Sequence, residues 1–263
     1  MVLTKDNYYS QGANSEYMSA SQFKAFEACP ACAMAELRGD YERPTSTALL
    51  VGSYVDAAVE GTLEAFVEAN RNQIMRKDGK LKAEYEQAEK MLERISKDRF
   101  FSSCLSGEKQ VIMAGEIEGV KVKIKMDSYH ADKLIVDLKT VRDFDTVYTA
   151  TGRKSFIEAW GYDIQGAIYQ EIVRQNTGKK LPFQLAAVTK EKVPDIAVIE
   201  LSQAVLDHAL DHVREMIPYY DGIKRGIFDA EPCGKCDYCK STKVLSTPVI
   251  YEGDYFEIEG ELI

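Results

Sequence analysis

Asp137 and Lys139 stand two residues apart in the otherwise apolar run "KLIVDLKTV" (133–141). In an extended chain alternate side chains share a face, so Ile135, Asp137 and Lys139 lie on one side and Leu134, Val136 and Leu138 on the other. The run "VKVKIKMDS" (120–128) alternates Lys121, Lys123 and Lys125 with Val122, Ile124 and Met126, and it ends in a second acid, Asp127. If the segment from Ser128 to Lys133 turns and the two strands pair, Asp127 converges on the face that carries Asp137 and Lys139. Two carboxylates and a lysine at the end of a sheet suit hydrolysis of a phosphodiester with a hard divalent cation, Mg²⁺ or Mn²⁺. The acids supply oxygen ligands, and the lysine orients water or offsets developing negative charge. An isolated D-x-K tripeptide is more often a surface ion pair. Its weight here comes from its setting.

Two helical patterns add to that setting. Gly52, Asp56 and Glu60 recur every four residues and share a helix stripe, in which Gly52 lets a strand approach closely and Asp56 offers a further oxygen ligand. Tyr162, Gln165 and Tyr169 fall at i, i+3 and i+7 on one helix face, where they either reach the site or pack beneath it. Five of the six cysteines form two groups, "CPAC" (Cys29, Cys32) and "CGKCDYC" (Cys233, Cys236, Cys239). This spacing reads as metal or cluster ligation, with unligated thiols as the plainer alternative. Cys104 stands apart and reads as a small buried side chain.

The elements that must carry these residues follow from periodicity. A helix opened by Ser19 or Ser21 covers "MSASQFKAFEACPACAMAELRG", a helix or helix pair covers "TSTALLVGSYVDAAVEGTLEAFVEAN", and a charged helix covers "KLKAEYEQAEKMLERISKD". Strands "QVIMAGEI", "VKVKIKMDS" and "KLIVDLKTV" form a meander with a turn at Glu118-Gly119. One long helix, "KSFIEAWGYDIQGAIYQEIVRQNTG", ends at Gly178. Strands "PFQLAAVTK" and "DIAVIEL" and a last helix over "SQAVLDHALDHVREMIPYYDGIKRG" precede the cysteine-rich tail, about 229–263. The order gives an α+β fold, a central mixed sheet flanked by helices, as a single domain over 1–263. At 263 residues and 45% hydrophobic, the chain can bury a sizeable core. With no apolar run of about 18 residues and no secretory pattern at its start, we expect a cytoplasmic protein with no membrane span. The net charge of −9 excludes a general nucleic-acid coat but not a local basic site, since 121–154 carries eight Lys or Arg against five Asp or Glu.

Taken together these residues resemble the PD-(D/E)XK nuclease superfamily, in particular the phage and prophage RecE-like exonucleases related to RecB-type nuclease domains. "SASQFKAFEACP" looks like the family's opening helix, "GSYVDAAVEG" like its G-x-x-x-H segment, "GVKVKIKMDSYHADKLIVDLKT" like its D…(D/E)-x-K core and "YDIQGAIYQ" like its Q-x-x-x-Y motif. The resemblance implies a restriction-endonuclease-like core and an Mg²⁺- or Mn²⁺-dependent exonuclease acting on linear duplex DNA. It implies phage-type recombination, with a single-strand annealing protein as partner. Carried over, Asp56, Asp127 and Asp137 would bind metal, Lys139 would serve catalysis, and Gln165 and Tyr169 would belong to the catalytic helix, with Glu116 a weaker candidate. It also implies that Cys29 joins Cys233, Cys236 and Cys239 around an iron–sulfur cluster or zinc, Cys32 being the alternative to Cys29. Two departures stand out: Asp56 replaces the family's histidine, and Met126 replaces the proline before the first core acid. The rival readings are a CRISPR-associated or repair nuclease of the same superfamily and a catalytically inactive DNA-binding or cluster-stabilised interaction module.

Overall fold

Apolar residues on both faces of "KLIVDLKTV" require cover on both sides, and the fold supplies it. The structure, a computed structural model, describes residues 1–149 and 152–248, together with the backbone of 257–258 and 261–262. Eight helices come first: α1 (Gln11–Glu16), α2 (Ala20–Ala28), α3 (Pro30–Arg38), α4 (Thr47–Glu60), α5 (Leu63–Ala69), α6 (Arg71–Ile74), α7 (Ala83–Lys97) and α8 (Arg99–Cys104). Strands β1 (Val111–Ile117), β2 (Val120–Met126), β3 (Ser128–His130), β4 (Leu134–Val141), β5 (Val147–Thr149) and β6 (Gly152–Lys154) follow. Then come α9 (Phe156–Ala159), α10 (Tyr162–Thr177), β7 (Phe183–Thr189), β8 (Ile196–Glu200), α11 (Gln203–Lys224) and α12 (Asp237–Thr242). The predicted tail is described to residue 248, and past it only the short antiparallel pair β9 (Glu257–Ile258) and β10 (Glu261–Leu262).

The central sheet is mixed, in the order β3-β4-β7-β8, with β4 parallel to β7 and the other pairs antiparallel. The parallel pair needs a crossover, which α9 and α10 provide. Ile135 and Phe183 face α10 and α11 in one core with Phe23, Ile124, Met126 and Ile168. Val136, Leu138, Ala186 and Val188 face the other way, against Val55, Tyr85, Met91 and Phe101. The alternation predicted for β4 is therefore the observed one.

Four expectations need correction. The expected meander is split: β1 and β2 form their own hairpin, turning at Glu118 (φ 48°) and Gly119 (φ 76°), and β2 does not pair with β4. Most of the expected turn is strand, because Ser128–His130 pairs with Leu134–Val136 and leaves Ala131–Lys133 to reverse the chain. The long helix after β6 breaks at Gly161 (φ 59°), where a left-handed backbone separates α9 from α10. The first predicted helix likewise divides at Cys29-Pro30, since proline cannot continue α2 but suits the first turn of α3.

Gly52 on α4 lies where a Cβ would come within 3.1 Å of Thr140 Oγ1 on β4, the close approach its sequence position suggested. Gly52→Val should lower stability by about 1–3 kcal/mol through overpacking. In a urea-denaturation double-mutant cycle, Thr140→Ala in the same background should recover part of the loss. Simple additivity would show that the two positions do not touch.

Candidate active site

β3 stops pairing at Ser128–Val136, so beyond that point one edge of β4 has no strand beside it. Asp127, the residue between β2 and β3, fills the gap: its Oδ2 accepts the backbone N–H of Leu138 at 3.0 Å. That hydrogen bond sets Asp127 beside Asp137 and Lys139. Asp137 is buried, at 2% exposed. Its Oδ1 accepts from Gln165 Nε2 at 2.7 Å, and its Oδ2 is in contact with the Lys139 ammonium. Lys139 also sits 5.6 Å from the centre of the Tyr162 ring.

Asp56 reaches the same pocket from α4. It makes no hydrogen bond to a described residue, and the charges of Asp127, Lys139 and Asp137 all act on its carboxyl. Burial, and after it Asp127, pushes Asp56 up to about 8. Burial also pushes Asp137 up to about 6, with Lys139 opposing and Asp127 adding to the rise. Lys139 responds in the opposite sense. Burial disfavours its charge, but Asp137, Asp127 and Asp56 together hold its pKa above the ordinary lysine value. Three acids around one lysine leave excess negative charge under cover, which a hard divalent cation would neutralise. The donor set fits such an ion. Among the described residues, however, the only group of three or more His, Cys, Asp or Glu ligand atoms within 4.8 Å of one another is a cysteine group, so the three carboxylates surround the pocket without meeting at a point.

The other expected residues divide. Gln165 touches Asp137, whereas the Tyr169 hydroxyl donates to the Lys125 carbonyl at 2.9 Å and anchors α10 to β2 instead of reaching a carboxylate. Glu116 is exposed on β1 opposite Lys121, six residues along the hairpin from Asp127, or roughly 20 Å at the strand rise. Three residues that the sequence reading did not single out also belong here. Gln110 Nε2 bonds Glu60 and lies 3.4 Å from Asp127 Oδ1, and its backbone is held at φ 57°. Lys24 on α2 lies 5.6 Å from the Tyr162 ring centre, and its Nζ donates to the Trp160 carbonyl at 3.1 Å. Burial, followed by repulsion from Lys139, lowers Lys24 to about 8. Lys190, at the end of β7, feels the charge of Asp56 and bonds the Ala48 carbonyl at 3.0 Å. The only signals for these were polar residues bordering apolar runs, a pattern shared by many surface positions.

The chain ends meet at the second cluster. Cys29, Cys233, Cys236 and Cys239 bring their sulfurs within 4.8 Å of one another, with Cys29 and Cys239 at 3.5 Å. Cys32 lies outside this set, and its Sγ accepts from Arg43 at 3.8 Å. Backbone N–H groups point at the sulfurs: Cys32 donates to Cys29 Sγ at 3.4 Å, Cys236 to Cys233 Sγ at 3.3 Å and Cys239 to Cys236 Sγ at 3.4 Å. Such donors favour thiolate over thiol. At Cys233 they overcome burial and bring the thiol down to about 7. Burial instead pushes Cys239 up to about 12, a cost that a bound cation would remove. Four sulfurs from two chain ends suit a zinc ion or an iron–sulfur cluster.

With the geometry in place, comparison with known proteins identifies the class. The model of the PDDEXK-like domain of unknown function, DUF3799, matches residues 19–242, and the chain belongs to this family. A crystal structure from Eubacterium rectale, described as a candidate exonuclease, shares 46% identity over 95% of this chain and 97% of its own, with a TM-score of 0.91. The structure of SSO0001 aligns over 72% of this chain and 84% of its own at 12% identity, but its TM-score of 0.28 is too low to carry an argument. No curated protein matches the chain. The chain therefore has the PD-(D/E)XK fold, a central mixed sheet flanked by helices. No helix among the described residues is long and apolar enough to cross a membrane.

Two outcomes follow from this electrostatics. A carboxyl raised to about 8 or 6 must lose its proton to bind a cation, so Mn²⁺ affinity should rise with pH between 6 and 8, with about one proton released per ion near pH 7. Calorimetry in buffers of different ionisation enthalpy reads this directly, and a flat pH dependence would contradict it. Cys236→Ser should lower the melting temperature and loosen both chain ends in hydrogen exchange, because ligand loss uncouples α3 from α12. Exchange confined to the tail would contradict a shared site.

Proposed function

We propose that the protein is a divalent-metal-dependent deoxyribonuclease that degrades linear duplex DNA from its ends. The observation that carries this reading is the contact of Lys139 with the buried Asp137, in a pocket shared with Asp127 and Asp56. The family match and the E. rectale neighbour support it.

In this reading Asp56, Asp127 and Asp137 hold Mg²⁺ or Mn²⁺, which when bound polarises the phosphoryl oxygen and activates water. Asp56 in place of histidine keeps an oxygen donor and favours a hard ion. Gln165 donates to Asp137 Oδ1 and so fixes the carboxylate plane, leaving Oδ2 turned toward Lys139. Lys139 stays protonated at neutral pH, since its acidic neighbours raise its pKa. It therefore acts as a fixed positive charge and hydrogen-bond donor for the phosphate oxygens or the attacking water, not as a base. Tyr169 holds α10 against β2 and keeps Gln165 in register. The cysteine cluster, as zinc or iron–sulfur, ties the chain ends together. Single-stranded tails left by such an enzyme would feed a strand-annealing recombination protein, the setting that the resemblance implies.

End-labelled linear duplex with Mg²⁺ or Mn²⁺ tests the proposal. The protein should shorten it, and should leave covalently closed circles intact. Asp127→Ala and Asp137→Ala should each reduce the rate at least about a hundredfold, while Lys139→Ala should lose most activity with cation affinity largely kept. Comparable rates in all three variants would refute the site.

A further inference from the structure

The first 18 residues lie outside the span matched by the family model, yet they are fastened to the β1–β2 hairpin that leads to Asp127. Met18 bridges the edge of β2, its N–H donating to the Lys121 carbonyl at 2.8 Å and its carbonyl accepting from Lys123 N–H at 2.9 Å. Lys123, only 1% exposed, donates its ammonium to the Tyr8 carbonyl and to Asn14 Oδ1 at 2.7 Å. That buried lysine holds the segment down.

The next lysine on the same face is not used in this way. Lys125 is half-buried and its ammonium makes no hydrogen bond or ion pair among the described residues, but its Nζ lies 4.6 Å from the Tyr9 ring centre and 5.8 Å from that of Tyr8. Tyr8 is buried, whereas Tyr9 is 69% exposed and stands edge-on to it at 5.0 Å. Together with Asn14, Gln22 and Tyr169 these groups line a cavity of about 320 Å³ between the N-terminal segment, α2 and β2. The acid in this wall, Glu36, is paired with Arg43 at 2.9 Å, so its charge is compensated. Lys125, near the end of β2, is two residues before Asp127, so the backbone carries the wall of this cavity to within about 7 Å, Cα to Cα, of one of the proposed metal-binding acids.

An exposed aromatic ring beside an unpaired ammonium is the combination that binds single-stranded nucleic acid without regard to sequence: every base has a face to stack, and every link a phosphate. We propose that this cavity is a subsite for the unpaired nucleotide adjoining the scissile phosphate, with its base stacked on Tyr9 and its phosphate held by Lys125. The subsite rests on the nuclease reading above and adds the preference for a frayed or single-stranded end.

Anisotropy of a short fluorescein-labelled single-stranded oligonucleotide, bound to the full-length protein without added Mg²⁺ or Mn²⁺ and without chelator, tests the subsite without cleavage. Tyr9→Ala should weaken binding about tenfold, the effect of losing one base–aromatic stack, and Tyr9→Phe should restore most of it. Lys125→Met keeps the apolar stem, and it should weaken binding and reduce the salt dependence by about one phosphate contact. Turnover of the same oligonucleotide relative to bis(4-nitrophenyl) phosphate, which has no neighbouring nucleotide, should fall about tenfold in both Tyr9→Ala and Lys125→Met. If the wild type hydrolyses neither substrate but the binding pattern holds, the nuclease reading fails and the subsite stands. Affinity and salt dependence equal to the wild type in Tyr9→Ala and Lys125→Met overturn the subsite.

Discussion

The carboxylate of Asp127 takes the backbone N–H of Leu138 that β3 leaves uncovered, and the geometry of the pocket depends on that one bond. It joins the β1–β2 hairpin to the central sheet at the point where the chain crosses from one to the other. An unpaired N–H in this position would be costly, and so would an acid buried without a donor. Each satisfies the other. The result places Asp127 next to Asp137 and Lys139, where like charges meet under cover and the lysine compensates only part of their repulsion. The remaining negative charge makes the pocket a site for a cation. The helices around it serve the same constraint: α10 brings Gln165 to Asp137, and α4 packs close enough at Gly52 to deliver Asp56.

The parts of this arrangement readable from sequence are those set by short-range periodicity. Alternation in β4 puts Asp137 and Lys139 on one face, and the helical spacing in α10 puts Gln165 toward them while Tyr169 packs one turn on. The four-residue stripe of α4 makes Gly52 the point of contact and Asp56 the residue that follows it to the pocket. What periodicity could not supply was pairing. Whether β2 continues into the sheet or leaves it is decided by Asp127 and Ser128, and an acid at a strand end reads the same in both cases. The breaks at Cys29-Pro30 and at Gly161 were likewise hidden within helical patterns strong enough to suggest one helix. Lys24, Gln110 and Lys190 come from three separate parts of the chain, and only the folded chain shows that they border one pocket.

The cysteines show the same division between local and long-range information. Their spacing indicates ligation but not which of Cys29 and Cys32 takes part. The fold separates the two. Cys29 begins α3 and turns its sulfur toward Cys239, while Cys32 lies one turn on and turns to Arg43. A group of four sulfurs closing residues 29 to 239 spans nearly the whole core, so whatever it binds couples the opening helices to the end of the chain.

The central claim is that Asp56, Asp127 and Asp137 hold a divalent cation beside Lys139. Anomalous diffraction from crystals soaked in Mn²⁺ locates the ion without reference to activity. The account predicts an anomalous peak within ligand distance of carboxylate oxygens from all three acids, with the Lys139 ammonium alongside and no carboxylate contact from Glu116. A peak elsewhere, or an empty pocket in a protein that still degrades DNA with Mn²⁺, would contradict it.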